Sequence, residues 1–244
     1  MLKAYWLTKH RQSRAVDLAA RKGGADAMIH LLRTGAVSAT EKALYTASGE
    51  VKLLNPIDFA VDESLPDVVT YLLSRNDVRD DVGVATSALH RAALRNHVEC
   101  LQAFLAPDSP VNVNSLDRGD WYPLHSAVFC ANLEVIQLLL SRGAVCTVRD
   151  SSGKTPLHFI CWDWDPLKKA VQAQILGIFL ENGGDSVMNA QDNNGWTPLH
   201  LAVSANLPEC CKLLLRAGSS GLLKVRLHHY ICLKGHLSGS LETA

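Results

Sequence analysis

The sequence predicts an all-α solenoid of stacked helix-turn-helix units, and three regularities predict it. The hexapeptide Lys154-Thr155-Pro156-Leu157-His158-Phe159 returns as Trp196-Thr197-Pro198-Leu199-His200-Leu201. Aligned on the histidine, further copies fall at Asp17, Asp58, His90 and His125, each preceded by an apolar residue (Val16, Ile57, Leu89, Leu124, Leu157 or Leu199). Fifteen residues past five of these anchors stands a leucine (Leu32, Leu73, Leu105, Leu140 or Leu215), and three further on stands Gly35, Gly143 or Gly218 in the clearest copies. The copy at His158 keeps this register only with seven inserted residues, which put Leu180 and Gly183 in the leucine and glycine places. Seven residues are about two turns of helix, so a longer second helix would keep the same face inward.

Within each unit the order of elements follows from local chemistry. Thr155 suits a helix N-cap, and Pro156 suits the first helical position, where its missing N–H costs nothing. The first helix carries a small residue two after the anchor (Ala19, Ala60, Ala92, Ala127 and Ala202), which suits close packing. After a polar turn comes a second apolar run, as in Leu133-Glu134-Val135-Ile136-Gln137-Leu138-Leu139-Leu140, closed by Arg142-Gly143, a cation and a C-cap glycine in the favourable order. One such pair cannot bury its apolar face alone, so neighbours must stack on it.

These residues resemble the ankyrin repeat family, whose 33-residue unit opens with Thr-Pro-Leu-His. The resemblance covers residues 13–218, with repeats near 13–36, 54–77, 86–109, 121–144, 154–184 and 196–218, a lead-in at 1–12 and a divergent tail or irregular cap at 219–244. It implies hairpin-like fingers between repeats. Asp150 with Gly153 and Asp192 with Gly195 match the finger turn, whereas Val82 and Ala85 depart from it ahead of His90. The stretch from Ala36 to Asn55 is longer than a finger. Its Thr40 to Tyr45 run predicts a short helical turn in a mobile segment.

Composition narrows the function classes. With formal charge zero, 48% hydrophobic residues and a pI near 7.1, the chain is neither disordered by composition nor a polycation built to grip nucleic acid. No apolar run approaches the roughly 18 residues of a membrane span. Met1 to Arg14 is too polar for a secretory signal. Seven cysteines, an odd number, fit free thiols in a reducing compartment, which places the chain in the cytoplasm or the nucleus.

Several residues invite a chemical reading and fail it. His90, His125, His158 and His200 recur once per unit, so neighbours stand roughly 10 Å apart, too far to share one metal; hydrogen bonding to the adjacent turn is the expected role. Cys210 and Cys211 fall on apolar positions of the second helix and read as packing residues. The tail cluster His228, His229, Cys232 and His236 lacks a second paired half. No phosphate loop, Gly-x-Ser-x-Gly or His-Glu-x-x-His is present. No catalytic residue, metal or cofactor is therefore expected.

What remains is surface. In proteins with this resemblance, partners contact the finger tips and the residues four and five past each anchor. Carried onto this sequence, those positions supply Arg118, Trp121, Phe129, Arg149, Lys154, Trp162, Asp163, Asn193 and Trp196. Trp121, Phe129, Trp162 and Trp196 are expected at the centre of a groove for a protein or peptide, since large rings bury much area for little rotamer entropy. The competing expectation is that some of these rings fold back to pack the fingers. Asp165-Pro166 can restart a helix in the insertion and would carry Trp164, Lys168 and Lys169 outward. Asn114 and Asn189 match positions hydroxylated in some members of the family, and a turn-stabilising role is the alternative for both. Leu222, Leu223, Val225 and Leu227 are expected to cover the last helix pair. The function implied is a non-catalytic, monomeric adaptor or scaffold; the alternative is a targeting subunit of a larger enzyme assembly such as a ubiquitin ligase.

Overall fold

Prolines at the first turn start six of the described helices, and a residue with positive φ closes most of the helix pairs. The computed structural model describes residues 24–40, 42–47, 50–117, 119–162 and 169–219. Asp17, Arg118, Asp163, Trp164, Asp165 to Lys168, and Leu222 to Leu227 lie outside the described residues. Two compact units, Met1–Arg118 and Gly119–Ala244, divide the chain.

In the first unit, residues 24–33 form α1, with Met28 and Leu32 buried. The run expected to make a helical turn instead forms strand β1 (Ala43–Ala47), paired antiparallel with β2 (Glu50–Leu54) in a register that sets Ala43 opposite Leu54 and Ala47 opposite Glu50. Tyr45, Thr46 and Val51 favour extended backbone, and that preference overrides the weak helical signal of Thr40 to Tyr45. Then come α2 (Pro56–Asp62) and α3 (Pro66–Ser74), followed by the short α4 (Asn76–Asp80), α5 (Val82–Arg95) and α6 (Val98–Phe104). Helices α2 and α5 pack on each other, as do α3 and α6.

No finger precedes His90. The chain there is already helical, and α5 has 14 residues against seven in α2. Asp81 caps it, its carboxylate accepting the Val84 N–H at 3.3 Å. A finger turn needs an aspartate followed three residues later by a left-handed glycine. Val82 and Ala85 at those places offer helix-compatible backbone instead.

In the second unit the pairs are α7 (Pro123–Phe129) with α8 (Leu133–Ser141), α9 (Pro156–Ile160) with α10 (Lys169–Glu181), and α11 (Pro198–Ser204) with α12 (Pro208–Arg216). First helices meet first helices (α7 with α9, α9 with α11) and second helices meet second (α8 with α10, α10 with α12). Ala127 and Ala202 are fully buried in the first-helix layer, as Ala60 and Ala92 are in the other unit. Helix α10 is described over 13 residues, against nine in α8 and α12, so the inserted residues do lengthen it.

Two kinds of stop repeat. Four second helices end at glycines with positive φ, Gly35 (70°), Gly143 (84°), Gly183 (87°) and Gly218 (99°), whereas α3 and α6 end at Arg75 and Leu105 with negative φ. First helices end at residues that are not glycine, Ser64, Asn96, Ala131 and Asn206, all with φ of 54–60°. The next N–H then reaches back to the residue two past the anchor, as from Leu65 to Ala60 (2.8 Å) and from Asn132 to Ala127 (3.1 Å).

Candidate interaction site

The anchoring histidines build the frame on which the site stands. At His158, Nδ1 accepts the Thr155 backbone N–H at 3.1 Å, so the proton sits on Nε2, which donates to the Trp196 carbonyl of the next finger at 3.1 Å. His125 repeats this with Tyr122 (3.3 Å) and the Lys154 carbonyl (3.2 Å). In the first unit His90 Nε2 donates to the Ser115 carbonyl at 3.1 Å. His125 and His158 tie their own helix starts to the following finger, whereas His90, inside the longer α5, reaches only the loop at Ser115; among the described residues no metal-binding group of histidine, cysteine or acid forms. Burial holds the His90 and His158 rings below the ordinary histidine value, which keeps them neutral.

Where the second repeat substitutes Asp58 for histidine, a different clamp appears. Asp58 and Asp62 lie on α2, and Arg91 and Arg95 on α5. Arg91 Nη1 donates to Asp62 at 3.1 Å, Arg95 Nε stands 3.1 Å from the same carboxylate, and Arg91 Nε lies 3.4 Å from Asp58. Burial pushes the Asp58 carboxyl up, against the pull of Arg91. Asp62, at a position expected on the contact surface, is instead a fully buried partner of two arginines.

The fingers of the second unit are held by their aspartates. Asp150 Oδ1 accepts the N–H groups of Ser152 (2.9 Å) and Lys154 (2.8 Å), and Asp192 Oδ1 accepts those of Asn194 (2.9 Å) and Trp196 (3.0 Å). Gly153 and Gly195 supply the positive φ, 74° and 77°. Adjacent fingers are stitched together: Arg149 Nη1 donates to the carbonyls of Gly153 (2.9 Å) and Gln191 (2.8 Å), and Asn193 donates to those of Ser151 (3.1 Å) and Ser152 (3.0 Å). Arg149 and Asn193 therefore hold the finger layer together while remaining exposed at its surface.

The rings fall into two groups. Trp121 packs edge-on against Phe129 (centroids 5.4 Å apart) and Phe159 (5.0 Å), and Phe159 in turn meets His125 at 5.4 Å. Trp162 and Trp196 instead line one cleft of about 330 Å³, with Lys154 and Asp192 from the fingers and Leu201, Ser204 and Ala205 from α11 and its cap. Trp196 is 39% exposed. The Lys154 ammonium lies 4.9 Å above the Trp162 ring, 3.7 Å from Asp192 Oδ2 and 3.3 Å from Ser152 Oγ. Gln172 on α10 donates to the Trp162 carbonyl at 2.8 Å and pins that turn. Lys169, expected to project outward, donates to the Ala205 carbonyl at 3.2 Å.

The spacing of the repeats identified Lys154, Trp162 and Trp196, but not Leu201 and Asp192 as their neighbours. Asp192 was legible only as a turn residue. Asn114 sits in an Asx turn, its N–H donating to Asn112 Oδ1 at 2.8 Å, and Asn189 is an exposed turn residue.

The geometry matches what the comparisons find. The family model described as ankyrin repeats (3 copies) matches residues 57–150 and 147–224. The chain is 29% identical over 183 residues to the nuclear factor NF-kappa-B p105 subunit of Gallus gallus, covering 73% of this chain and 18% of that protein. It is 28% identical over 109 residues to the tyrosine-protein kinase HTK16 of Hydra vulgaris, covering 45% and 14%. It is 32% identical over 124 residues to the human SMC5-SMC6 complex localization factor protein 1, covering 50% and 11%. The chain spans under a fifth of the length of each of these relatives. Ankyrin repeats are a non-catalytic protein-interaction fold, and among the described residues no helix is long and apolar enough to cross a membrane. Stacked helix pairs, left-handed stops and Asp-to-Gly finger turns, together with a family match over more than half its length, make this chain a member of the ankyrin repeat family.

Proposed function

We propose that the chain is a non-catalytic adaptor module that holds an extended segment of a partner protein in the cleft between Trp162 and Trp196. The observation that carries this reading is the convergence in one cleft of finger residues (Lys154, Asp192, Trp196) and inter-helix turn residues (Trp162, Ala205). Two rings at its walls offer the area and rigidity that anchor partner side chains. The three relatives named above differ in activity, and what each shares with this chain is a repeat segment. That favours a recognition role over a catalytic one. The module acts as a monomer in the cytoplasm or nucleus, takes protein and not nucleic acid, and needs no cofactor. Trp121 and Phe129 contribute a second contact.

A displayed random-peptide library selected against the protein tests this. Selected peptides should bind the Trp162→Ala/Trp196→Ala variant at least roughly tenfold more weakly, the loss of one good anchor, with a melting temperature close to wild type. Binders indifferent to both substitutions would place recognition elsewhere. A large drop in melting temperature would assign the rings to packing.

A further inference from the structure

The cleft contains an ammonium with spare donors beside a carboxylate already engaged in holding its finger turn. Lys154 carries three N–H donors. Its single hydrogen bond runs to Ser152 Oγ at 3.3 Å, and the ion pair to Asp192 Oδ2, at 3.7 Å, is longer than a hydrogen bond. Its side chain is 12% exposed where it lines the cleft, and among the described residues no second protein group accepts a hydrogen bond from the ammonium. Asp192 differs: its side chain is 3% exposed, Oδ1 accepts two backbone N–H groups, and Oδ2 faces Lys154. Asp150, the acid of the preceding finger, is likewise occupied by Ser152 and Lys154 N–H groups and the Ser152 hydroxyl. Outside the cleft, the exposed Arg149 guanidinium uses Nη1 for two carbonyls and has further N–H groups turned to neither. The Lys154 ammonium, with donors that no group among the described residues fills, thus stands beside apolar walls made by Trp162, Trp196 and Leu201.

Resting on the docking reading above, the geometry points to an acidic class of partner: an extended peptide whose Asp or Glu side chain bonds the Lys154 ammonium while a neighbouring aromatic or aliphatic side chain lies between Trp162 and Trp196. The carboxylate completes the hydrogen bonding of Lys154 without displacing Asp192 from its turn. A cationic side chain would compete with Lys154 for the Trp162 face and meet like charge. A neutral chain would fill the apolar walls and leave the ammonium as it is.

The test titrates the whole chain with three short peptides, acetylated and amidated so that only side chains carry charge. They share the frame Gly-Ser-x-x-Leu-Phe-x-Ser-Gly, with x acidic (Asp, Glu), amide (Asn, Gln) or Lys. The indole Nε1–H resonances of Trp162 and Trp196, assigned from Trp→Phe variants, report occupancy. The acidic peptide should shift both and bind roughly tenfold more tightly than the amide peptide, as expected of a charge-assisted bond. That preference should weaken with added salt. Lys154→Met, which keeps the apolar stem over Trp162, should abolish the preference, while Lys212→Met on the exposed face of α12 should not. Equal binding of the amide or Lys peptide at the same two indoles overturns the acidic class and leaves docking standing. Retention of the preference in Lys154→Met overturns the role of Lys154. Should that variant fail to fold, the charge series on the wild type decides. If no peptide shifts the indoles, the acidic class falls, and the library selection judges docking alone.

Discussion

Single residues in this chain act by choosing one backbone or protonation state, and that choice carries measurable free energy. His158 is neutral because its Nδ1 accepts an N–H and its surroundings exclude water. Burial lowers its pKa, and that of His90, below the 6.5 of an unfolded chain. As pH falls through that value the unfolded state takes up protons that the folded state refuses, so stability is complete above it and declines below. Melting temperature should therefore drop between about pH 7 and pH 5.5, and His158→Gln should flatten the slope; an unchanged slope would remove His158 from the account. Ala131 illustrates the backbone case. It holds φ of 57° with a Cβ, a conformation that costs an ordinary residue about 1–2 kcal/mol. Ala131→Gly should stabilise by up to about 1 kcal/mol once the greater freedom of an unfolded glycine is subtracted. Chemical denaturation measures this, and a loss of stability would show that the methyl packs.

At the scale of elements, fingers and helix pairs rest on different chemistry. The finger turn at Asp150 depends on Gly153, where a Cβ would strike Asn193 Oδ1 and lie 3.1 Å from the Asn193 backbone nitrogen. Gly153→Ala should cost about 2 kcal/mol or more, from the left-handed φ together with loss of the stitching bonds of Asn193. A cost equal to that of Gly195→Ala, which meets nothing within 4 Å, would show that only φ matters. The finger that is missing before His90 was visible in Val82 and Ala85; its replacement by the 14-residue α5 was not, since a helix start at Asp81 is a weak local signal. The β1–β2 hairpin was likewise missed. Tyr45, Thr46 and Val51 favour strand, but pairing them needs two segments read together. The left-handed Ser64, Asn96, Ala131 and Asn206 had a usable signal, a fixed place six past each anchor, although their types do not announce it.

Across the whole molecule, the same burial that neutralises the histidines silences the thiols. Cys100, Cys146, Cys161, Cys210 and Cys211 are buried and free, and Cys130 is half-buried. Burial pushes Cys210 up to about 11 and Cys211 up to about 12, and holds Cys161 well above the ordinary thiol value. Thiolate is the reactive form, so among the described cysteines only Cys130 should label quickly with a disulfide reagent under native conditions. The other five should label together with unfolding, and mass spectrometry of the labelled peptides checks it. Rapid native labelling of Cys210 or Cys211 would reveal local opening of α12.

Recurrence along the sequence determined the repeat itself: the Thr-Pro-Leu-His starts, the leucine and glycine register, and the histidines as scaffold. Those features are local, each set by capping, backbone preference or a period that a single stretch of chain displays. Only the tertiary structure decided which aromatic residues share a surface. Trp121 and Trp162 both fit the contact pattern, yet Trp121 is drawn to Phe129 and Phe159 while Trp162 joins Trp196 around Lys154. The same holds for Asp58 and Asp62, whose arginine partners come from another helix. Such pairings arise from stacking one repeat on the next, where distance in space no longer follows distance along the chain.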